Sequence, residues 1–266
     1  MGLAQSFNYF PGIGMNDLSL AAYREVISRP GFLRSVALTA FVSSVTTAVT
    51  LVLGVATALT LRRRFFGKRT VTFVYQLPLT MPYLVVAVGV MMLVDQSGLF
   101  ARLFYQLGLI DAPAQFPVLV HDDRGVAIML VYVWKQGPFI GLIALAVLQS
   151  IGADYEQLAR SLGATRFQTL RHVLIPLVAP ALVPASIIIF AFTFGSFEVP
   201  LLLGKSYPSM LSVFAYRLYT DVDLAIRPQA MAAGMFIALC VLTLVYLYRR
   251  AAHYVFSGGG TGGVNP

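Results

Sequence analysis

The sequence predicts an all-α membrane protein, a polytopic helical bundle with about five membrane spans. Three observations predict this fold class: an excess of apolar residues, five long apolar segments and short basic loops. Hydrophobic residues make up 58% of the 266-residue chain and charged residues 11%, whereas a soluble domain is nearer half apolar and a quarter charged. The mean hydropathy is +0.78. Too few charges remain to cover a water-soluble globule, which excludes a soluble enzyme, a disordered chain and a fibrous protein.

Each apolar segment is long enough to cross a bilayer, which takes about 20 residues at ~1.5 Å each. Apolar residues run continuously along the segments instead of alternating, which favours helices over the strands of a barrel. The second segment carries Pro78 and Pro82, and the third holds a single charge, Lys135. We predict the spans at 33–61, 70–94, 126–149, 173–197 and 230–248.

Charge divides the loops between two sides of the membrane. One side, made of 62–69, 150–172 and the chain after 248, holds ten of the 19 Lys and Arg residues and two of the 11 acids. Lys and Arg accumulate in short cytoplasmic loops, so this side is predicted to be cytoplasmic. The N-terminus is then outside and the C-terminus inside. The net charge of +8 is thus a topology signal, and no nucleic-acid partner is expected.

Three regions follow from this topology: an external segment at 1–32, a transmembrane domain at 33–253, and a flexible glycine-rich tail at 254–266. The first region lacks the basic start and apolar core of a secretory leader, which leaves open that an upstream helix is missing from this sequence. The stretch 98–109 predicts an amphipathic helix on the membrane surface.

The cytoplasmic loop 150–172 predicts two short helices. Asp154 with Gln157, and Thr165 with Gln168, have the spacing of an N-cap residue and its reciprocal partner. A short helix after the first pair has one apolar face, because its apolar residues fall at i, i+3, i+4 and i+7. That face consists of Tyr155, Leu158, Ala159 and Leu162.

Gly163 is placed to end the first of these helices in a left-handed conformation. An apolar face on a cytoplasmic loop needs a cover, and the sequence leaves two alternatives. Either another protein docks on the face, or the loop folds back on its own bundle.

The spacing around Gly163 resembles the EAA loop of ABC-importer permeases: Glu-Ala-Ala, three residues, Gly, nine residues, Ile, one residue, Leu-Pro. Here nine residues separate Gly163 from the stretch Val173 to Pro176, and a proline-rich span follows. Over roughly 30–250 the chain therefore resembles the inner-membrane permease subunit of binding-protein-dependent, MetI-like importers.

The resemblance implies a MetI-like permease core and a coupling helix gripped by an ATP-hydrolysing subunit. It implies as partners two ATP-binding subunits, a second permease that is identical or homologous, and an external solute-binding protein. The chain itself would perform no catalysis and hold no metal or cofactor, because ATP and Mg²⁺ would bind to the partner ATPase. The bacterial inner membrane is the implied location.

Aligned on Gly163, the glutamate of the family falls at Gln157 and its first alanine at Leu158, and only Ala159 matches. Either Gln157 takes the glutamate's role by hydrogen bonding, or Glu156 takes it by ion pairing. The residues implied in ATPase coupling are Glu156, Gln157, Leu158, Ala159, Leu162, Gly163, Ala164, Arg166 and Pro176.

Ionisable groups at the membrane edge are candidates for the substrate pathway. Glu198 is flanked by Phe194 and Phe197, and an acid beside ring faces can hold a cation. Alternatively, the rings are core and Glu198 caps a helix. The candidates are Glu198, Phe197, Phe194, Trp134, Tyr132 and Asp95. This stretch also resembles the polyamine, iron and thiamine branch, so a polyamine or other organic cation is the leading prediction.

Two other function classes compete with the importer permease. A stand-alone secondary transporter or channel needs buried charges as ion sites, and the predicted spans offer only Lys135. A non-transporting membrane scaffold is the second alternative.

Overall fold

The structure is a computed structural model, which describes residues 1–63, 65–152 and 154–257. Regular secondary structure in these ranges is helical, apart from an isolated bridge between Phe10 and Met15. The α-helices are α1 (Gly2–Ser6), α2 (Ala21–Ser28), α3 (Phe32–Leu61), α4 (Lys68–Thr80), α5 (Tyr83–Val94), α6 (Leu99–Gln106), α7 (Val126–Ile151), α8 (Asp154–Ser161), α9 (Arg166–Thr169), α10 (Ile175–Gly195), α11 (Glu198–Leu203), α12 (Leu211–Tyr219) and α13 (Arg227–Ser257).

Five helical stretches within the described residues are long and apolar enough to cross a membrane, which confirms the predicted fold class. Four of them agree with the predicted spans to within a few residues at most ends. The five stretches are Phe32–Leu61, Tyr83–Gln106, Val126–Ile151, Arg166–Gly195 and Leu224–Leu247.

The second span differs from the prediction of one helix over 70–94. The chain breaks between α4 and α5, where Met81 is extended with φ −80° and ψ 138°. A proline disfavours helical geometry in the residue before it, and Pro82 therefore ends α4. The apolar stretch that the structure assigns to this span begins at Tyr83 and includes α6.

Two predicted boundaries also shift. A five-residue π turn, Leu170–Leu174, joins α9 to α10, so the predicted second loop helix and the fourth span form one helical stretch. At the C-terminus, α13 continues to Ser257, into the region predicted as a flexible tail. The rest of that tail, 258–266, lies outside the described residues.

The chain divides into two compact units, each described by itself. Unit 1 comprises Met1–Thr46, Pro82–Tyr132 and Ala191–Thr243, and unit 2 comprises Thr47–Met81, Val133–Phe190 and Leu244–Pro266. Unit 1 contains the loops predicted to be external, and unit 2 contains the loop 150–172.

Aromatic side chains and loop hydrogen bonds hold unit 1 together. The Tyr83 ring stacks on Phe192 with centroids 4.9 Å apart and tilts against Tyr132 at 5.8 Å. In the buried start of α3, the Thr39 hydroxyl accepts a hydrogen bond of 2.8 Å from the Leu211 amide. Helix α11 packs against α5.

Unit 2 has an aliphatic core in which α3, α7 and α10 meet. The helices α3 and α7 approach so closely that a Cβ added at Gly54 would lie 2.6 Å from Ile140. A Cβ at Gly141 would lie 2.2 Å from the Tyr75 hydroxyl, which donates to the Gly137 carbonyl at 2.9 Å. Glycine at position 54 thus permits the close approach of α3 and α7, and a side chain at position 141 would displace the Tyr75 hydroxyl.

Lys135 is buried in unit 2. Its ammonium group donates to the carbonyl oxygens of Pro78 at 2.7 Å and Leu79 at 3.3 Å. These carbonyls belong to the last turn of α4, which Pro82 cuts short. A positive charge at a helix C-terminus also complements the helix dipole.

Candidate functional site

The loop between α7 and α10 folds as the sequence predicts at two turns. At the end of α8, Gly163 has φ +82°, the Gly163 amide donates to Arg160 and the Ala164 amide donates to Ala159. This pair of bonds is a Schellman motif. At the start of α9, Thr165 and Gln168 form the predicted capping box, with bonds of 2.8 and 3.3 Å.

The predicted capping role of Asp154 takes a different form. Helix α8 begins at Asp154 itself, so this acid lies in the first turn of the helix together with Glu156. Acids in a first turn stabilise a helix through its dipole. Ala153, which precedes the helix, lies outside the described residues.

Glu156 attaches α8 to the end of α3. One carboxylate oxygen accepts from Arg62 at 2.8 Å, and the other accepts from Arg160 at 2.8 Å. Both oxygens are therefore used inside the chain. Gln157, the position aligned with the family's glutamate, is exposed on α8. Gln157 and Glu156 were the two alternatives for the role of the family's glutamate. Of these two, Gln157 is the one that faces outward.

Another face of α8 carries exposed apolar side chains. Tyr155 is 53%, Leu158 60% and Leu162 80% exposed. On the next helix, Phe167 is 67% exposed. Two consecutive helices of the loop thus expose large apolar side chains, which is typical of an interaction surface. We call Tyr155, Leu158, Leu162 and Phe167 the docking face.

The remaining coupling candidates lie around this face. Ala159 and Ala164 are partly buried and take part in the turn at Gly163. Arg166 is exposed at the first position of α9. Pro176 follows the π turn, in the first turn of α10.

The predicted substrate candidates do not form the expected cage within unit 1. Tyr132 is buried, and its hydroxyl donates to Ser196 at 2.5 Å. Phe194 is also buried, so neither ring is open to a solute. Phe197 packs on Tyr216 with ring centroids 4.5 Å apart.

The other three candidates lie outside this packing: Glu198 and Trp134 are exposed, and Asp95 is half-buried. Glu198 begins α11, and the Asp95 carboxylate accepts hydrogen bonds from the amide and hydroxyl of Ser97. Trp134 is exposed on α7 and belongs to unit 2. The aromatic cluster that the structure does assemble is Tyr83, Tyr132 and Phe192. Sequence reasoning missed Tyr83 and Phe192, which lie 109 positions apart.

Titratable and metal-binding side chains are dispersed. In the described ranges no three His, Cys, Asp or Glu residues gather as metal ligands. The His121 ring bonds to the Gly204 carbonyl at 2.9 Å, and Asp123 pairs with Lys205. These contacts join two loops of unit 1.

Residues 50–256 match the family described as binding-protein-dependent transport system inner membrane component. The chain belongs to this family. Relatives include the sulfate transport system permease protein CysT of Salmonella typhimurium, 24% identical over 87% of this chain and 80% of that protein. The molybdenum transport system permease protein ModB of Azotobacter vinelandii is 29% identical over 82% of this chain and 94% of that protein.

Two solved structures share the fold of this family member. A bacterial alginate ABC transporter, in complex with a pentasaccharide-bound periplasmic protein, aligns with TM-score 0.75 and 19% identity over 90% of this chain and 84% of its own. The MetNI methionine ABC transporter, in an inward-facing conformation, aligns with TM-score 0.56 and 18% identity over 85% and 94%. This chain is accordingly a multi-pass inner-membrane permease subunit of an ABC importer.

Proposed function

We propose that α8 is the helix through which an ATP-hydrolysing partner drives this permease. The chain is not an enzyme, and ATP hydrolysis belongs to separate subunits. The observation that carries the proposal is the docking face, which is exposed on a helix held in place by Glu156. A fixed helix with an open apolar face transmits the movement of a partner to the spans beside it.

The energetics favour a protein partner on this face. Burying a large apolar side chain is worth about 1.5–3 kcal/mol, and the docking face offers four. Glu156 and Arg160 point away from it, because residues at i and i+4 share a different side of the helix. An ATPase groove can therefore cover the apolar side chains while the ion pair to Arg62 stays intact.

The rest of the assembly follows from the same proposal. Two ATP-binding subunits, holding ATP and Mg²⁺, dock on two permease chains, the second identical or homologous. An external binding protein delivers solute to the loops of unit 1, by analogy with the periplasmic protein in the alginate complex. The charge distribution supports a cytoplasmic side at 62–69 and 150–172, with the N-terminus outside.

Gly163 provides the test of docking. At φ +82° a β-branched residue is strained by about 1–2 kcal/mol, so Gly163→Val distorts the turn after α8, whereas Gly163→Asn tolerates this conformation. We expect Gly163→Val to insert normally yet lose most solute-stimulated ATPase activity in proteoliposomes. Gly163→Asn should retain it.

Gly67 gives the matched control. It has φ +77°, and a Cβ there meets nothing within 4 Å, as at Gly163. Gly67→Val therefore carries similar strain outside the proposed docking helix and should keep coupling. Full coupling in Gly163→Val, or equal loss in both variants, contradicts the docking role.

The substrate class is proposed separately. The relatives named above are permeases for sulfate and molybdenum, so family membership does not decide it. An organic cation such as a polyamine remains our proposal, supported by the exposed carboxylate of Glu198 at the start of α11. Removing that charge should weaken uptake of a cation and leave uptake of an anion unchanged.

The experiment compares Glu198→Gln with Asp111→Asn, an acid of another external loop. Uptake of radiolabelled spermidine, sulfate and molybdate is measured in cells that express the complete importer. We expect at least a tenfold loss of spermidine uptake in Glu198→Gln alone. Uptake of sulfate or molybdate instead of spermidine overturns the cation proposal and leaves the docking proposal standing.

A further inference from the structure

An apolar groove opens in unit 2 along α3 and α10. Its volume is about 480 Å³, and Ser186 is the polar residue among its lining side chains. Leu51 and Leu59 mark the ends of the groove on α3, and Ile175 and Ser186 mark its ends on α10, with Leu170 and Leu174 of the π turn beyond. The groove is therefore a hydrocarbon-lined slot within the membrane-spanning part of the chain.

A basic pocket of about 530 Å³ continues from one end of this groove. Leu59, Leu170 and Leu174 line both cavities. Four arginines and Glu156 supply the charges of the pocket, a formal charge of +3. The arginines are Arg62, Arg63, Arg160 and Arg166.

Two of these arginines form no salt bridge with Glu156. Arg62 and Arg160 are bonded to Glu156, whereas Arg63 and Arg166 take part in none of the salt bridges formed by the described residues. Basic pockets of this kind on the cytoplasmic side of membrane proteins suit anionic lipid headgroups.

The length of the groove fits one acyl chain. At ~1.5 Å per residue, its lining spans about 12 Å on α3 and about 17 Å on α10. One leaflet of the hydrocarbon core is about 15 Å thick.

We propose that the groove and the basic pocket together bind one anionic phospholipid of the adjoining leaflet. Its acyl chain lies along α3 and α10, and its phosphate is bound by Arg63 and Arg166. The exposed apolar residues of α8 lie on another side of that helix from Glu156 and Arg160, whereas Arg166 belongs both to this pocket and to the residues implied in ATPase coupling. Retention of the lipid is a binding measurement, so the proposal does not depend on ATPase docking.

The test measures lipid retention by native mass spectrometry of the complete importer. The importer is taken from nanodiscs of equimolar phosphatidylglycerol and phosphatidylcholine with the same acyl chains. We expect phosphatidylglycerol to be retained selectively. The double variant Arg63→Gln/Arg166→Gln should weaken its binding about 30-fold, since each arginine near an anionic headgroup is worth roughly fivefold.

Two further variants separate the headgroup from the chain. Ala179→Trp fills the groove and should abolish retention with all four arginines present, whereas Ile188→Trp, exposed on the same helix outside the groove, should not. Arg69→Gln/Arg171→Gln removes two exposed charges outside the pocket and serves as the charge control.

Four results would overturn the proposal. Equal retention of the two lipids removes the headgroup selectivity, and unchanged binding in Ala179→Trp removes the acyl chain from the groove. Displacement of the lipid by soluble glycerol phosphate would mean that a free phosphate compound suffices. A disulfide between Ala179→Cys and a second permease chain would also overturn it, because a protein then fills the groove.

Discussion

Units 1 and 2 are anchored in different ways. Unit 1 spreads its polar contacts over its loops and helix ends, as in the bond of Thr39 to Leu211 and the exposed pair of Lys205 and Asp123. Unit 2 buries a charged side chain, Lys135, which bonds to the end of α4, and it leaves apolar surface open on α8 and along α10. A buried charge loses its water, so unit 2 relies on the bonds that replace that water.

The largest expected effect comes from substituting one lysine in each unit and comparing the loss of stability. Lys135→Met removes charge-assisted bonds to buried carbonyls and should lower the free energy of unfolding by about 3 kcal/mol. Lys205→Met removes an exposed pair, which is worth about 0.5 kcal/mol. Denaturant titration of the purified variants in mixed micelles measures both. Similar losses in the two variants would show that the buried charge of Lys135 anchors unit 2 no more strongly than the exposed pair anchors unit 1.

A smaller effect is expected for a glycine from each unit. Gly54→Ala places a Cβ 2.6 Å from Ile140, and overpacking of this kind costs about 2 kcal/mol. Gly89→Ala in unit 1 meets nothing within 4 Å and should be neutral or slightly stabilising, because alanine favours the helix. The same denaturant titration measures the free energy of unfolding of both variants. If Gly54→Ala is neutral, the close approach of α3 and α7 does not constrain unit 2.

Much of the fold follows from local sequence. Long apolar runs predict spans because the bilayer interior is the environment that covers so much apolar surface. The Thr165–Gln168 capping box forms because its partners are three residues apart. The break before Pro82 was also visible, since proline acts on the residue before it. The unbroken apolar run from 70 to 94 outweighed that signal and produced one predicted span where two helices lie.

Contacts between distant residues are what the sequence could not supply. Arg62 and Glu156 are 94 positions apart, and nothing local distinguishes Arg62 from its basic neighbours. The same holds for Tyr132 and Phe194, whose burial depends on which helices pack around them. Residue type alone suggested a cation cage, whereas packing used these two rings as core.

The π turn at Leu170–Leu174 constrains the length of the loop that follows Gly163. Phe167 and Leu174 are seven residues apart, a spacing that puts two side chains on the same side of an unbroken α-helix. Phe167 is nevertheless 67% exposed and Leu174 only 6%. The additional residue in the wide turn rotates everything after it by about 100°. The nine-residue interval after Gly163 therefore fixes the rotation of the spanning helix relative to Phe167. Shortening it by one residue would turn either Phe167 or the spanning helix to the wrong side.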